Sequence, residues 1–392
     1  MSLHHIYLDN HATTRVDPRV VDAMSPWWSE SYGNAASISH SFGHEASDAV
    51  QSSREEIATF LNCSAEEIVF TSGATESNNL ALKGVADTRG RNGRLIVNAA
   101  EHRAILDPAR QLRRDGVPLT ILPVDALARV TADDVAGALA DQTRLVSVML
   151  ANNEVGTLNP LREIGSLCRE RGVLVHCDAS QAVGRIPINL ADLPVDLASF
   201  TAHKIYGPKG IGALFVRKRE PAVPIRPLLD GGAHERGLRS GTLPVPLIVG
   251  FAEAIRIARL EQKEQQAQIQ RRRDHLLDLI NEALAGVSLH GDPVDRLPGN
   301  LNLGFEGVDG DALMTGVAER GLAVSSGSAC TSANPEPSHV LKAMGVPEPL
   351  ARGSLRFGLG RFNTDQDVEA AAAIVIEVVS KLRSQRSPTS PG

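Results

Sequence analysis

The sequence predicts an α/β protein, with a large domain built on a mostly parallel central sheet and a smaller α+β domain. Short apolar runs alternate with amphipathic helical patterns through the first two-thirds of the 392 residues. Continuous apolar runs of this kind are typical of strands that helices cover on both faces. The length also exceeds that of one typical domain, which favours two or three.

The large domain is predicted to alternate strands and helices in chain order. Its strands are expected near 67–71, 94–99, 119–124, 145–150, 173–177, 197–201 and 211–216. Its helices are expected near 46–61, 76–84, 105–115, 132–140 and 161–172. Ligands of parallel sheets bind at the carboxyl ends of strands, so functional residues are expected directly after these runs.

A long helical pattern, from about 247 to 285, is interpreted as the link between the two domains. Its apolar stripe is interrupted by a polar middle, 261–273, which fits either a solvated face or a kinked connector. The predicted division gives a large domain over 15–258. A small domain is predicted over 1–14 and 259–383, followed by a disordered tail, 384–392.

The small domain is predicted to contain few regular elements. Strands are expected near 301–305 and 354–359, and helices near 310–320, 338–344 and 367–383. A loop rich in small polar residues, about 325–337, lies between them.

Composition and charge are those of a globular protein and argue against nucleic-acid-binding and membrane proteins. A hydrophobic content of 42% and a charged content of 22% are those of a soluble globular protein. The net charge of −6 argues against a nucleic-acid-binding surface. We see neither a signal peptide nor an apolar run of membrane-spanning length, so a cytoplasmic enzyme that binds no membrane is the expected class.

The four cysteines predict neither a metal site nor a disulfide framework. They are scattered along the chain without a Cys-x-x-Cys pair. His176 and Cys177 are adjacent on a predicted strand and therefore point to opposite faces. We expect no metal.

Lys204 follows the predicted strand 197–201, and a glycine-containing turn comes after it. A buried ammonium is costly unless it is paired or consumed. A desolvated lysine can form a Schiff base with pyridoxal 5'-phosphate (PLP). An ordinary strand-end lysine that reaches water is the alternative, and Lys204 alone does not decide between the two.

Two further strand ends favour the PLP site. Gly73, Ala74 and Thr75 open a helix after a strand, where backbone N–H groups can bind a phosphate; a plain helix cap is the alternative. Asp178 ends another strand, and a protonated pyridine nitrogen would be a suitable partner for its carboxylate. A helix-capping aspartate is the competing interpretation there.

The order of these segments resembles the cysteine desulfurases, which are class V PLP enzymes of fold type I, and in particular their long-loop branch of the NifS/IscS type. The resemblance runs over nearly the whole chain. The motifs that carry it are Leu8-Asp-Asn-His-Ala-Thr-Thr14, Thr71-Ser-Gly-Ala-Thr-Glu-Ser77, Glu101-His102, Asn152-Asn-Glu-Val-Gly156, Asp178-Ala-Ser-Gln181, Thr201-Ala-His-Lys204, Glu235-Arg-Gly-Leu-Arg-Ser-Gly-Thr242 and Ser325-Ser-Gly-Ser-Ala-Cys-Thr-Ser-Ala333. Each is weak alone, but the ordered set is specific.

The resemblance implies an aspartate aminotransferase-like fold, PLP as cofactor, L-cysteine as substrate and a homodimer. Lys204 would be the Schiff-base lysine that moves the Cα proton, and His102 would stack on the ring and relay protons. Residues that the resemblance places at the cofactor are Ala74, Thr75, Asn153, Asp178, Gln181, Thr201, His203 and Lys204, with Thr242 reaching the phosphate of the neighbouring subunit. Residues that it places at the substrate are Arg356, Asn153 and Asn34.

Arg356 also has an argument of its own. In the predicted strand 354–359, Arg356, Gly358 and Gly360 share one face by the two-residue period. Glycines would leave that face open beside the guanidinium, which suits capture of a carboxylate. A surface arginine on an edge strand is the alternative, and the resemblance favours capture.

Cys330 lies in the loop of small polar residues, from which a thiol can travel, and an incidental loop cysteine is the alternative. The resemblance favours Cys330 as the nucleophile that accepts sulfur. Cys63, Cys168 and Cys177 are predicted to be structural. The resemblance implies that Cys330 takes sulfur as a persulfide. It would then pass the sulfur to an acceptor protein, for iron–sulfur cluster assembly or thiolation.

The chain departs from the family pattern at a few positions. His11 lies where the family is variable, Ala35 where proline is usual and Ala233 where glycine is common. None removes a group that the reaction needs. The alternatives are a selenocysteine lyase, another class V PLP enzyme such as an aminotransferase, and an inactive PLP-fold scaffold protein.

Overall fold

A computed structural model describes residues 5–89, 93–326 and 337–386. In chain order the strands are β1 (Ile6–Tyr7), β2 (Ile68–Thr71), β3 (Arg94–Asn98), β4 (Leu119–Leu122), β5 (Thr143–Ser147), β6 (Leu174–Asp178), β7 (Leu197–Thr201), β8 (Gly212–Val216), β9 (Val287–Leu289), β10 (Asn300–Phe305), β11 (Leu322–Ala323) and β12 (Ser354–Gly358). The helices are α1 (Pro18–Met24), α2 (Pro26–Ser29), α3 (Ser41–Leu61), α4 (Ala74–Ala86), α5 (Arg103–Arg114), α6 (Ala132–Ala138), α7 (Leu161–Glu170), α8 (Val245–Ala283), α9 (Gly310–Ala318), α10 (His339–Ala343), α11 (Glu348–Arg352) and α12 (Asp365–Arg386).

The central sheet has seven strands in the order β2-β8-β7-β6-β5-β3-β4. Strand β8 is antiparallel to both of its neighbours, and the pairs from β7 to β4 are parallel. Helices cover both faces, because two separate apolar clusters pack on the sheet, one including Phe200 and Phe251 and the other Leu80 and Leu106. The predicted mostly parallel sheet is confirmed.

A second, smaller sheet has the antiparallel order β12-β10-β9. Its apolar cluster includes Leu303 and Phe357, and Ile6 and Leu8 from the start of the chain pack in the same cluster. Strand β1 pairs in parallel with β11. The first residues therefore pack beside the C-terminal part of the chain, as the predicted domain division supposes, although its boundaries stay a prediction.

Helix α8 is continuous through its polar middle, and its 39 residues span about 58 Å. Glu261 pairs with Arg19 from α1 at 2.5 Å, and Arg272 pairs with Asp365 from α12 at 2.7 Å. The polar middle therefore binds both parts of the chain, and a kinked connector is wrong.

The C-terminal helix α12 ends at Arg386, so residues 384–386 are helical rather than part of a disordered tail. The rest of the predicted tail lies outside the described residues. No helix of the described ranges is long and apolar enough to span a membrane.

Candidate active site

A cavity of about 560 Å³ opens at the carboxyl ends of the parallel strands. Most of the residues predicted for the site line it, although they come from distant parts of the chain. They are Ala74, Thr75, His102, Asn153, Asp178, Gln181, Thr201, His203, Lys204 and Arg356.

Two of the predicted residues that the structure describes, Asn34 and Thr242, do not line the cavity. Asn34 is exposed, and its side-chain oxygen accepts a hydrogen bond from the Ala36 N–H at 2.9 Å. Thr242 is exposed as well. Cys330 and most of its predicted loop lie outside the described residues.

Lys204 ends the short 3-10 turn Ala202–Lys204 that follows β7. Its Nζ donates to the main-chain oxygens of His11 at 2.5 Å and Ala12 at 2.6 Å. The ammonium is thus held at the cavity wall by the segment after β1. Beside it, burial and then the nearby lysine charge lower the pKa of His203 to about 4, so that imidazole is neutral at physiological pH.

The helix-opening turn at α4 forms one end of the cavity. Gly73 has φ +151°, a backbone conformation that residues with a side chain rarely adopt. A Cβ at this position would lie 3.8 Å from Thr201 Oγ1. The first-turn carboxylate of Glu76 accepts from the Ser72 N–H at 2.7 Å and is paired with Arg239 at 2.9 Å, so its charge is compensated beside the helix terminus. These features fit a phosphate group.

Asp178 lies at the end of β6 and is buried. Its carboxylate accepts hydrogen bonds from Asn78 Nδ2 at 2.8 Å and from the Ser180 N–H at 3.0 Å. Both donors are neutral, so a cationic ring nitrogen would compensate the charge on the cavity side. The carboxylate fits the pyridine nitrogen of PLP.

Several buried polar atoms around the cavity have no hydrogen-bond partner among the described residues. Such atoms are costly to bury, and a bound ligand can satisfy them. They are His11 Nε2, Asn78 Oδ1, Asn153 Oδ1, Ser180 Oγ and Arg356 Nε. The cavity is therefore prepared for a polar ligand such as PLP with an amino acid.

His11, Asn78 and Ser180 were not predicted as site residues. The position of Asn78 carried a signal, because it lies one helical turn after Ala74 and so on the same face of α4. Ser180 lies between the predicted residues Asp178 and Gln181.

His102 caps the start of α5, where its Nδ1 accepts a hydrogen bond from the Ala104 N–H at 3.0 Å. This contact places the ring proton on Nε2 when the imidazole is neutral. Burial is the main cause that lowers the pKa of His102, which favours the neutral form.

Arg356 lies on an edge strand but is buried, with 1% of its surface exposed. It pairs with Asp9 at 2.8 Å and donates to the main-chain oxygen of Asn153 at 3.0 Å. The glycine face beside it is not open as predicted. A Cβ on Gly358 would come within 2.9 Å of the His11 ring, because the segment after β1 fills that space.

The described cysteines fit structural roles. Cys168 and Cys177 are buried and Cys63 is half-buried. Burial raises the pKa of Cys63 and of Cys168 to about 12 and that of Cys177 well above its usual value, so these thiols stay protonated. Within the described ranges, no three His, Cys, Asp or Glu side chains are grouped to hold a metal ion.

Comparison with known proteins places this site in a family. The aminotransferase class-V family matches residues 6–371. A cysteine desulfurase IscS from Rickettsia bellii is 49% identical over 379 residues, covering 96% of this chain and 92% of that protein. A protein of the same name from an Anaeromyxobacter species is 50% identical, covering 96% and 93%.

A solved structure of a NifS-like protein superposes with a TM-score of 0.90 at 38% identity, covering 97% of this chain and 100% of that chain. The predicted fold, PLP-dependent transferase fold type I, is thereby confirmed. On these similarities and on the PLP-compatible cavity, the chain belongs to the PLP-dependent cysteine desulfurases of the aminotransferase class-V family.

Proposed function

We propose that this enzyme converts L-cysteine to L-alanine, holds the released sulfur as a persulfide on Cys330 and passes it to an acceptor protein. The observation that carries the proposal is that Lys204, Asp178 and Arg356 line one cavity at the carboxyl ends of the sheet. Bound PLP supplies an electron sink for the substrate carbon that loses its proton.

The chain binds the cofactor through groups at both ends of the cavity. The turn at Ala74 and Thr75, with Thr201 and His203, would hold the phosphate. Asp178 would pair with the ring nitrogen. Gln181 would bind the ring hydroxyl; in this structure its amide contacts His11.

The chain orients the substrate by its carboxylate. Arg356 is buried and its Nε donor is unpartnered among the described residues. Asn153 is proposed to contact the carboxylate through its amide N–H groups, because its Oδ1 can only accept. A guanidinium held by Asp9 cannot turn away, so it captures the carboxylate in a fixed direction. Asn34 is proposed to contact the substrate from an exposed segment.

Proton movement belongs to Lys204 and His102. The Lys204 amine takes the Cα proton, since it lies at the cavity wall. His102 carries its ring proton on Nε2 and can protonate the carbon that leaves as alanine. Both side chains are half-buried in the cavity wall.

Cys330 completes the reaction. Its thiolate forms a bond to the substrate sulfur while the carbon–sulfur bond breaks, and the electron pair stays with the carbon that is then protonated. The sulfur remains on Cys330 as a persulfide. Acceptors in iron–sulfur cluster assembly or in thiolation both fit this chemistry.

Replacement of Cys330 tests the proposal. We expect Cys330→Ser to abolish alanine formation from cysteine while the protein stays yellow with bound PLP. Cys63→Ser is the matched control and should leave activity unchanged, because that thiol is half-buried and protonated. Undiminished activity of Cys330→Ser would refute the persulfide step, and labelled sulfur traced into host proteins identifies the acceptor.

We also propose that the enzyme is a homodimer in the cytoplasm. Thr242 is exposed and lies outside the cavity of its own chain, which fits a contact with the phosphate of the neighbouring subunit.

A further inference from the structure

His11 lies in the segment after β1 and lines the cavity, although the family pattern assigns no role to this position. Its side chain is 1% exposed. Its Nε2 has no hydrogen-bond partner among the described residues. Buried ring nitrogens are nearly always hydrogen-bonded, so one that has no protein partner in a ligand cavity is a candidate for a bond to the ligand.

The hydrogen bonds of His11 Nδ1 determine whether Nε2 carries the ring proton. Arg185 Nη1 lies 2.6 Å from His11 Nδ1, and a guanidinium can only donate. Nδ1 is therefore the acceptor, and the neutral ring carries its proton on Nε2. The Gln181 amide oxygen also lies 2.9 Å from Nδ1, while the Gln181 Nε2 donates to the His11 main-chain oxygen at 3.0 Å. The shorter contact, from Arg185, sets the tautomer, because a guanidinium has no acceptor atom.

The charges around the ring select the ligand. Burial, followed by the positive charges of Arg185, Arg356 and Lys204, lowers the pKa of His11 well below its usual value. The ring is thus neutral, with a buried N–H on a residue that lines the cavity. An N–H donor among cations suits an anionic oxygen and repels the substrate ammonium.

The position of the ring favours the substrate carboxylate over the ring oxygen of PLP. A Cβ on Gly358 would come within 2.9 Å of His11 Cδ2, the carbon bonded to Nε2. Gly358 is two residues from Arg356 on β12, so it lies on the same face of the strand. The Nε2 edge of His11 therefore lies along the strand face that carries Arg356.

We propose that His11 is a substrate-binding residue whose Nε2–H donates to the α-carboxylate of L-cysteine beside Arg356. The inference rests on the proposed function, and it adds a neutral hydrogen-bond donor to the site where Arg356 binds the substrate carboxylate. The donor keeps its proton through the physiological range, so it fixes one carboxylate oxygen without titrating.

The chain offers a pair of substitutions that separates this role from a structural one. His11→Asn places its amide oxygen near the position of Nδ1, which keeps an acceptor for Arg185 but removes the cavity donor. His11→Gln places its amide nitrogen near the position of Nε2 and keeps that donor. Both are made in the PLP-loaded Cys330→Ala protein, in which binding is read without turnover.

The readout is the dissociation constant of two ligands, from the change in cofactor absorption. L-Cysteine has the carboxylate and cysteamine lacks it. We expect His11→Asn to weaken L-cysteine binding about ten- to hundredfold, as for a lost hydrogen bond to a charged group, and to leave cysteamine binding unchanged. His11→Gln should recover most of the L-cysteine affinity.

The controls distinguish the possible failures. His275→Asn changes an exposed histidine of α8 and should affect neither ligand. Equal weakening of both ligands by His11→Asn would overturn the inference in favour of a contact with the PLP ring oxygen or of a structural role, and unchanged binding of both would overturn it outright. The proposed function fails separately, if the unaltered enzyme forms no alanine from cysteine.

Discussion

Ala233 adopts a left-handed backbone conformation, with φ +54°, at a position where the family commonly has glycine. A Cβ atom lowers the stability of the folded state by about 1 kcal/mol in this conformation, because it lies too close to the following carbonyl oxygen. Glu235 also has positive φ, but its carboxylate is fixed by a buried ion pair with Arg54 at 2.7 Å. Ala233 has no such side-chain contact to offset its strain.

We therefore expect Ala233→Gly to raise the free energy of unfolding by about 0.5–1 kcal/mol, as relief of strain exceeds the added freedom of the unfolded chain. The shift in the denaturant midpoint measures this change, provided that the denaturant dependence of the free energy of unfolding is the same for both proteins. Ala267→Gly is the matched control, because this exposed residue lies inside α8, where glycine should destabilise by about 1 kcal/mol. A decrease in stability for both variants would contradict the strain at Ala233.

At the scale of residues, the sequence predicted those site groups whose chemistry follows directly from a strand end. Asp178 ends β6 and Lys204 follows β7, and these strands are neighbours in the sheet. The parallel pairing of the two strands is therefore enough to bring the side chains into one cavity. His11 could not be predicted in the same way. Its tautomer depends on Arg185, which lies 174 residues away in the chain, and no local pattern specifies that contact.

At the scale of elements, the short helix α10 is joined to the floor of the cavity. Ser338 caps this helix, as its Oγ accepts from the N–H groups of Val340 at 3.1 Å and Leu341 at 3.2 Å. The same hydroxyl donates to the carboxylate of Glu154, which is buried and lines the cavity. Glu154 follows Asn153, so the helix after the Cys330 segment is fixed to the proposed substrate contact.

We expect Ser338→Ala to slow sulfur transfer to Cys330, because the helix that follows this segment loses its anchor. The predicted result is a fall in kcat of about tenfold, with a smaller change in KM for cysteine. Single-turnover formation of the Cys330 persulfide measures the affected step directly.

The control is Thr131→Ala, which removes the N-cap of α6. That cap, from Thr131 to the Asp134 N–H at 3.1 Å, is exposed and lies outside the cavity. It should cost about 1 kcal/mol of stability and leave the persulfide rate unchanged. An equal loss of rate in both variants would show that the effect of Ser338 is general destabilisation.

Elements with long apolar runs were predicted well, and those defined by tertiary contacts were not. Strand β7 matches its predicted bounds, because all five residues are buried and the two polar ones, Ser199 and Thr201, have hydrogen-bond partners. Strands β1 and β11 have two residues each and exist only by pairing with one another, so no periodicity marks them. The polar middle of α8 suggested a break, but its charges find partners on α1 and α12 instead.

At the scale of the whole molecule, several large apolar side chains near the start of the chain are exposed. Trp28, Tyr32 and Ile38 are 61%, 66% and 86% exposed, and the ring of Phe42 lies 5.5 Å from that of Tyr32. Several exposed apolar groups within one short segment are typical of an interface. Asn34, a proposed substrate contact outside the cavity, lies in the same segment, which fits a surface that a second copy of the chain covers.

We expect Ile38→Asp to shift the protein from dimer to monomer in sedimentation, because a carboxylate in an apolar interface is costly to bury. PLP affinity should fall with it, since the proposed contact from Thr242 of the neighbouring subunit to the phosphate would be lost. Thr242→Ala should weaken PLP while the protein stays dimeric, and Val294→Asp, at another exposed apolar residue, should change neither property. A monomer that binds PLP as tightly as the unaltered protein would show that each chain completes its own phosphate site, and a Thr242→Ala dimer with unchanged affinity would remove that residue from it.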